Sequence, residues 1–216
     1  LVSEFELGPQ GQLAGVYFSL DGAGNVAPPE LDRPLQIDMF EIQGRYETEI
    51  GRLNVENARI ESPHGSAAVR GWLDFGWNEG VLASLDADLE AENIALNLPD
   101  VFGEPVALSA ASVAAAYEEA TKTITWRRLA LEGDALNAEF EGTTSFPEDM
   151  TPAIYVTGSI DRLAVEDLLR VWPTDLAGGA RSWMADNIFE GFIGPLGLAT
   201  DIGPGMLSQD ALPEEA

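Results

Sequence analysis

The stretch LDADLEAEN at 85–93 sets Asp86, Asp88, Glu90 and Glu92 two residues apart. In a strand that spacing puts the carboxylates on one face, with Leu85, Ala87, Leu89 and Ala91 on the other. Such a ladder has two readings. It is a set of hard oxygen ligands for Ca²⁺, with Asp86, Asp88 and Glu90 as candidates, or it is a solvated outer face. His64 is the only histidine and lies in SPHG, where a general base competes with an ordinary exposed turn residue. DGAGN at 21–25 opens like a calcium loop but lacks the alternating acids and closing Glu, and reads instead as a hairpin turn. No HExxH, GxSxG, Walker or dinucleotide fingerprint occurs. Zero cysteines excludes thiolate nucleophiles, thiolate metal sites and disulfides. Among 37 acidic residues no motif singles out a pair for glycoside hydrolysis. The sequence therefore predicts no enzyme, no catalytic residue, no cofactor and no metal beyond that carboxylate ladder.

Bulk properties narrow the partners. A balance of 37 Asp+Glu against 11 Lys+Arg, net −26, leaves no basic footprint for nucleic acid or for an anionic membrane surface. Of the 11 basic residues only Lys122 is lysine, a bias without a mechanism at the level of sequence. At 216 residues and 45% hydrophobic content the chain can bury a sizeable core, and 22 Gly with 13 Pro suit many turns. No apolar run reaches the length of a membrane-spanning helix. The chain begins at Leu1 without a signal-like segment, so it reads as a piece of a longer or processed protein whose signal or anchor lies outside it.

The elements that hold these residues are strands with an irregular beat. In RLNVENARI the apolar positions are Leu53, Val55, Ala58 and Ile60, a 0, 2, 5, 7 pattern; TITWRRLAL repeats it with Ile124, Trp126, Leu129 and Leu131. An offset of 71 also relates Tyr46 to Tyr117, Gly71 to Gly142 and Phe75 to Phe146, and carries Leu85, Leu89, Ile94 and Leu98 onto Val156, Ile160, Val165 and Leu169. This predicts an internal repeat of about 71 residues. One extra residue in a strand is a β-bulge, which keeps apolar side chains on one face while bending the strand. The same bulge in each unit predicts a curved sheet with a concave trough.

The expected class is mainly β: repeated antiparallel meanders forming a curved sheet or groove, with short helices between repeats. Residues 1–33 read as the end of a preceding β-repeat, 34–104 as one meander plus a short helix, and 105–173 as a second. Residues 174–216 read as an amphipathic helix and the start of a further repeat. Strands are expected at 34–48, 52–61, 66–75 and 81–91, then at 108–118, 122–132, 135–146 and 152–160, with turns at SPHG, Asn78-Glu79-Gly80 and Gly133-Asp134. The helices are NIALNLPDVFG (93–103), stopped at Pro99 or Gly103, and AVEDLLRVWP (164–173), with Val165, Leu168, Leu169 and Trp172 inward. Leu53, Val55, Ile60, Val69, Ile124, Trp126, Leu129, Leu131, Phe140 and Phe146 are the candidate lining. Periodicity leaves open whether they form a dry core or an accessible trough. One ten-residue helix per unit cannot cover four strands, so a second sheet or a lipid must cover the rest.

At 172–191 the chain reads WPTDLAGGARSWMADNIFEG, and Trp172, Pro173, Ala180, Arg181, Trp183, Asn187, Ile188 and Gly191 resemble the signature of the AsmA-like proteins of Gram-negative envelopes. The tail, with Pro204-Gly205 and Leu212-Pro213, and by pattern the meanders from about 30 to 172, are similar to the same family. The resemblance implies a non-catalytic, periplasmic segment of a longer chain anchored in the inner membrane outside this sequence. It implies a hydrophobic conduit carrying phospholipid acyl chains between inner and outer membranes, with other repeats of the same chain and envelope proteins as partners. The competing reading is a β-rich scaffold or adhesion module that binds protein or Ca²⁺ without lipid; a hydrolase acting through a carboxylate pair is the third. The signature itself reads as structural: Asp175 caps a helix with Leu176, Ala180, Trp183 and Ile188 inward, and Gly191 stops it.

Overall fold

The computed structural model describes residues 1–26, 35–98, 105–134, 136–147, 151–171, 178–188 and 190–205. Ten long strands follow one another and pair in chain order: β1 (Val2–Leu7), β2 (Leu13–Val26), β3 (Leu35–Glu47), β4 (Arg52–Ser62), β5 (Gly65–Asn78), β6 (Val81–Leu96), β7 (Val106–Glu118), β8 (Thr123–Glu132), β9 (Leu136–Ser145) and β10 (Ala153–Ala164). Helices α1 (Val165–Val171) and α2 (Gly178–Asn187) interrupt the run before β11 (Phe192–Ile193) and β12 (Leu196–Ile202), both of which return to β10. The result is one antiparallel, groove-like sheet that does not close on itself.

The irregular beat is a bulge in both places. Val55 pairs with Gly71 and Ala58 with Val69, so Glu56 and Asn57 share one residue of β5; Trp126 pairs with Gly142 and Leu129 with Phe140, so Arg127 and Arg128 do the same against β9. On the other side Gln43 pairs with Asn57 and Gly44 with Val55, matched by Ala114 with Arg128 and Ala115 with Trp126. The extra residue is thus Glu56 in β4 and Arg127 in β8, 71 positions apart. Opposite each bulge the strands crowd together. A Cβ on Gly71 would stand 2.1 Å from the Asp88 carbonyl oxygen, and one on Gly142 would stand 2.1 Å from that of Tyr155.

The turns repeat as well. The N–H of Phe75 donates to the Gly51 carbonyl and that of Phe146 to the Lys122 carbonyl, at 3.0 and 2.9 Å; Gly51 and Lys122 both have positive φ. Pro63-His64 is the two-residue link of a hairpin closed by Ser62 and Gly65, and His64 is exposed. Glu79 and Gly80, with φ of 52° and 83°, form the corresponding link between β5 and β6, as a turn matched to strand twist requires.

Three expectations fail. Asn93–Leu96 is not helical; β6 runs through it, and the rest of the expected helix, beyond Leu98, lies outside the described residues. Asn93 has φ of 54° and sits in a register shift, so the face pattern restarts there and the apolar spacing imitates a helix. DGAGN is no hairpin turn but part of β2, paired with β3 through an irregularity at Gly22–Gly24. The 71-residue offset also stops at β9. Leu89 pairs with Gly71 whereas Val156 pairs with Gly142, so the counterpart of Leu89 is Val156, not Ile160. The stretch from Gly142 to its partner Val156 is four residues shorter than that from Gly71 to Leu89, which accounts for it.

Candidate functional site: an uncovered apolar face

Cross-strand partners share a face, so the register sorts every paired side chain. One face carries Val16, Phe18 and Leu20 on β2, then Phe40, Ile42 and Tyr46 on β3. It continues through Leu53, Val55 and Ile60 of β4 to Val69, Leu73 and Phe75 of β5, and through Leu85 and Leu89 of β6 to Val113 and Tyr117 of β7. Ile124, Trp126, Leu129 and Leu131 of β8 lead to Phe140 of β9, Val156 and Ile160 of β10, and Leu196 and Leu198 of β12. No paired position on this face is charged. Nearly all of these side chains are half-exposed, and among the described residues no second sheet lies over them.

All nine lining candidates within strands, Leu53, Val55, Ile60, Val69, Ile124, Trp126, Leu129, Leu131 and Phe140, stand on this face; Phe146 follows β9 and is exposed. Trp126 presents its ring while its indole N–H donates to Thr144 Oγ1 at 3.0 Å, so the one polar atom of the ring is satisfied. The rings of Phe40 and Phe140 lie over Gly22 and Gly158 of neighbouring strands, where a Cβ would meet them at 3.0 and 2.3 Å. These glycines let an aromatic ring lie flat along the sheet.

Among the described residues the face is sealed over β6–β10, at one end of the strands. Ile94, Leu108, Leu136, Ala138 and Leu163 form a buried cluster, with Leu163 1% exposed and Leu168 of α1 packed on it. Val165 is buried at the start of α1 and its N–H donates to the Gly191 carbonyl. Gly191 has φ of 139° and lies beyond the end of α2. Helix α2 docks through Arg181, whose guanidinium donates to the Leu169 carbonyl at 3.1 Å, and Asn187 donates to the Trp183 carbonyl. Trp183 does not point inward as expected: it is 59% exposed, while Met184 and Ile188 are the partly covered residues. Trp172, Pro173, Asp175 and Leu176 lie outside the described residues, as do Leu212 and Pro213, and the side chain of Ala180 is not described.

The opposite face is polar and laced by arginine. Arg127 forks onto Asp86 at 2.5 and 2.9 Å, reaching across the alanines of β7, and Arg70 holds both Glu90 and Glu92. Arg52 makes a bidentate pair with Asp74, both contacts 2.6 Å, and stacks on Trp72. Arg45 lies over Tyr17 and reaches Glu6 beyond β2, and Arg128 meets Glu139. Hydrogen bonds from Arg52 hold the Asp74 carboxyl below its ordinary pKa; those from Lys122 and Tyr117 do the same for Glu119. The calcium candidates are therefore divided: Asp86 is taken by Arg127 and Glu90 by Arg70. Among the described residues no three His, Asp or Glu side chains are grouped to hold a metal. At Arg52–Asp74 and Arg127–Asp86 arginine does what lysine cannot, since a planar fork bridges two strands with two parallel hydrogen bonds.

The fold and this face define a class: an open, single-layered β-groove with one apolar and one charged side. Set against protein-family models, curated proteins and solved structures, the chain matches none of them.

Proposed function

We propose that this chain is a segment of a non-catalytic lipid conduit of the AsmA-like kind, carrying phospholipid acyl chains along its groove between inner and outer membranes in the periplasm. The observation that carries this reading is the uncharged, half-exposed face that continues from β2 to β12. Eleven strand positions at roughly 4.8 Å spacing, β11 and β12 sharing one edge of β10, give the face a run several times the width of an acyl chain. Each CH₂ moved from water onto an apolar surface gains at most about 0.8 kcal/mol, so a half-covered tail is held by several kcal/mol. Spread evenly, that hold has no deep minimum, which permits sliding. Trp126, opposite Gly142, and Phe140, opposite Leu129, flank the bulge of the β8–β9 pair on this face and are the natural places to break the path.

Native mass spectrometry with lipid extraction tests the reading. The expected result is phospholipid at about one or more per chain, and its loss when Trp126→Glu and Phe140→Glu put two charges on the face. A folded, lipid-free chain that takes up no fluorescent phospholipid would sink it and favour the scaffold.

A further inference from the structure

We propose that the amphiphiles this face accepts are those whose head group carries no net negative charge, zwitterionic lipids ahead of anionic ones; this rests on the reading just given. The two ends of the strands differ. At the end that holds Leu163 and α1 the face is filled by protein over β6–β10. At the other end the apolar surface runs out onto Trp77, stacked on Phe75 and 58% exposed beside the β5–β6 turn, and Ile50 in the β3–β4 turn is 57% exposed. A molecule with its tails on the face therefore presents its head beyond these turns, where apolar surface gives way to water.

That rim is acidic. Glu49 and Glu79 are exposed in the β3–β4 and β5–β6 turns, and Glu118 is exposed at the end of β7. The one basic side chain among the described turns there, Lys122, is in an ion pair with Glu119. Among the described side chains of the strands no arginine stands on the apolar face: Arg45, Arg52, Arg59, Arg70, Arg127 and Arg128 all belong to the opposite side and are paired with carboxylates. A phosphate arriving at this rim finds no free cation and several carboxylates. An ammonium on the same head group finds partners. A head group with net negative charge has only the repulsion.

The experiment compares phosphatidylcholine with phosphatidylglycerol of identical, acyl-labelled chains, taken up from vesicles by the chain. At about 20 mM salt, uptake of the zwitterionic lipid should exceed that of the anionic one by about threefold, and the ratio should approach one at about 0.5 M salt. The triple variant Glu49→Gln, Glu79→Gln, Glu118→Gln should bring the low-salt ratio towards one, which separates the rim from the charge of the whole chain. Equal uptake at low salt, a preference for the anionic lipid, or a ratio untouched by the triple variant would overturn the proposal. Uptake of neither lipid would overturn the conduit reading and this inference with it.

Discussion

The two ends of the strands are made from the same alternation and end in opposite states. Near α1, Leu163, Leu136 and Leu108 close on one another and exclude water. Across the middle, Leu53, Leu89 and Leu129 occupy the same face in the same kind of ladder and remain half-exposed. At the sealed end Leu168 of α1 packs on the cluster and Ile193 of β11 pairs with Leu163. Burial in a sheet is decided by what is laid over it, and an alternating strand states only that one side avoids water.

Truncation gives the sharpest way to break that comparison. Leu163→Ala should cost about 3 kcal/mol in urea denaturation, because it opens a cavity in the sealed cluster. Leu89→Ala, on the open span, should cost about 1 kcal/mol, since little packing is lost. Equal costs would mean that the middle is covered too. A second test separates an open face from a loose backbone. Gly142→Ala drives a Cβ into the Tyr155 carbonyl and should cost about 2 kcal/mol, whereas Gly197→Ala meets nothing within 4 Å and should be nearly neutral. If Gly142→Ala is also neutral, the strands of the open span yield as easily as their surroundings.

The smallest effect lies on the polar side. The Asp74 carboxyl is held below its ordinary pKa by hydrogen bonds from Arg52. Its contribution is therefore complete above the ordinary Asp range and is lost as the pH falls through the lowered value. Thermal midpoints of the wild type should drop slightly more than those of Asp74→Asn on acidification below about pH 4, the screened pair being worth little in water. Parallel curves would show that the fork contributes nothing.

Much of this was legible in the residues. The 0, 2, 5, 7 spacing stated the bulges of β4 and β8, and the turn chemistry of Pro63-His64 and Glu79-Gly80 stated the hairpins. What misled was backbone that leaves the strand conformation without leaving the strand. Asn93 adopts a left-handed φ and shifts the apolar beat, and DGAGN has turn-like composition yet holds its place because β3 pairs with it and the Phe40 ring covers Gly22. The arginine lacing was not legible at all. Glu6 and Arg45 are 39 residues apart, Asp86 and Arg127 are 41, and only the sheet brings them together. For the face itself, the sequence named which side chains share it and that short helices could not cover it, but periodicity alone could not choose between a second sheet and an open face.

The bulges have one more consequence. At each of them two consecutive side chains, Glu56-Asn57 or Arg127-Arg128, point to the charged side where the partner strand offers one. The charged side is therefore the more crowded at each bulge, and a bulge bends and twists its strand there. Removing Glu56 or Arg127 would restore a plain alternation with every apolar residue still on its own face. A single codon can therefore alter the bend of a strand while leaving its apolar residues on their own face, so the curvature of such a sheet can drift through evolution independently of the side chains that line it.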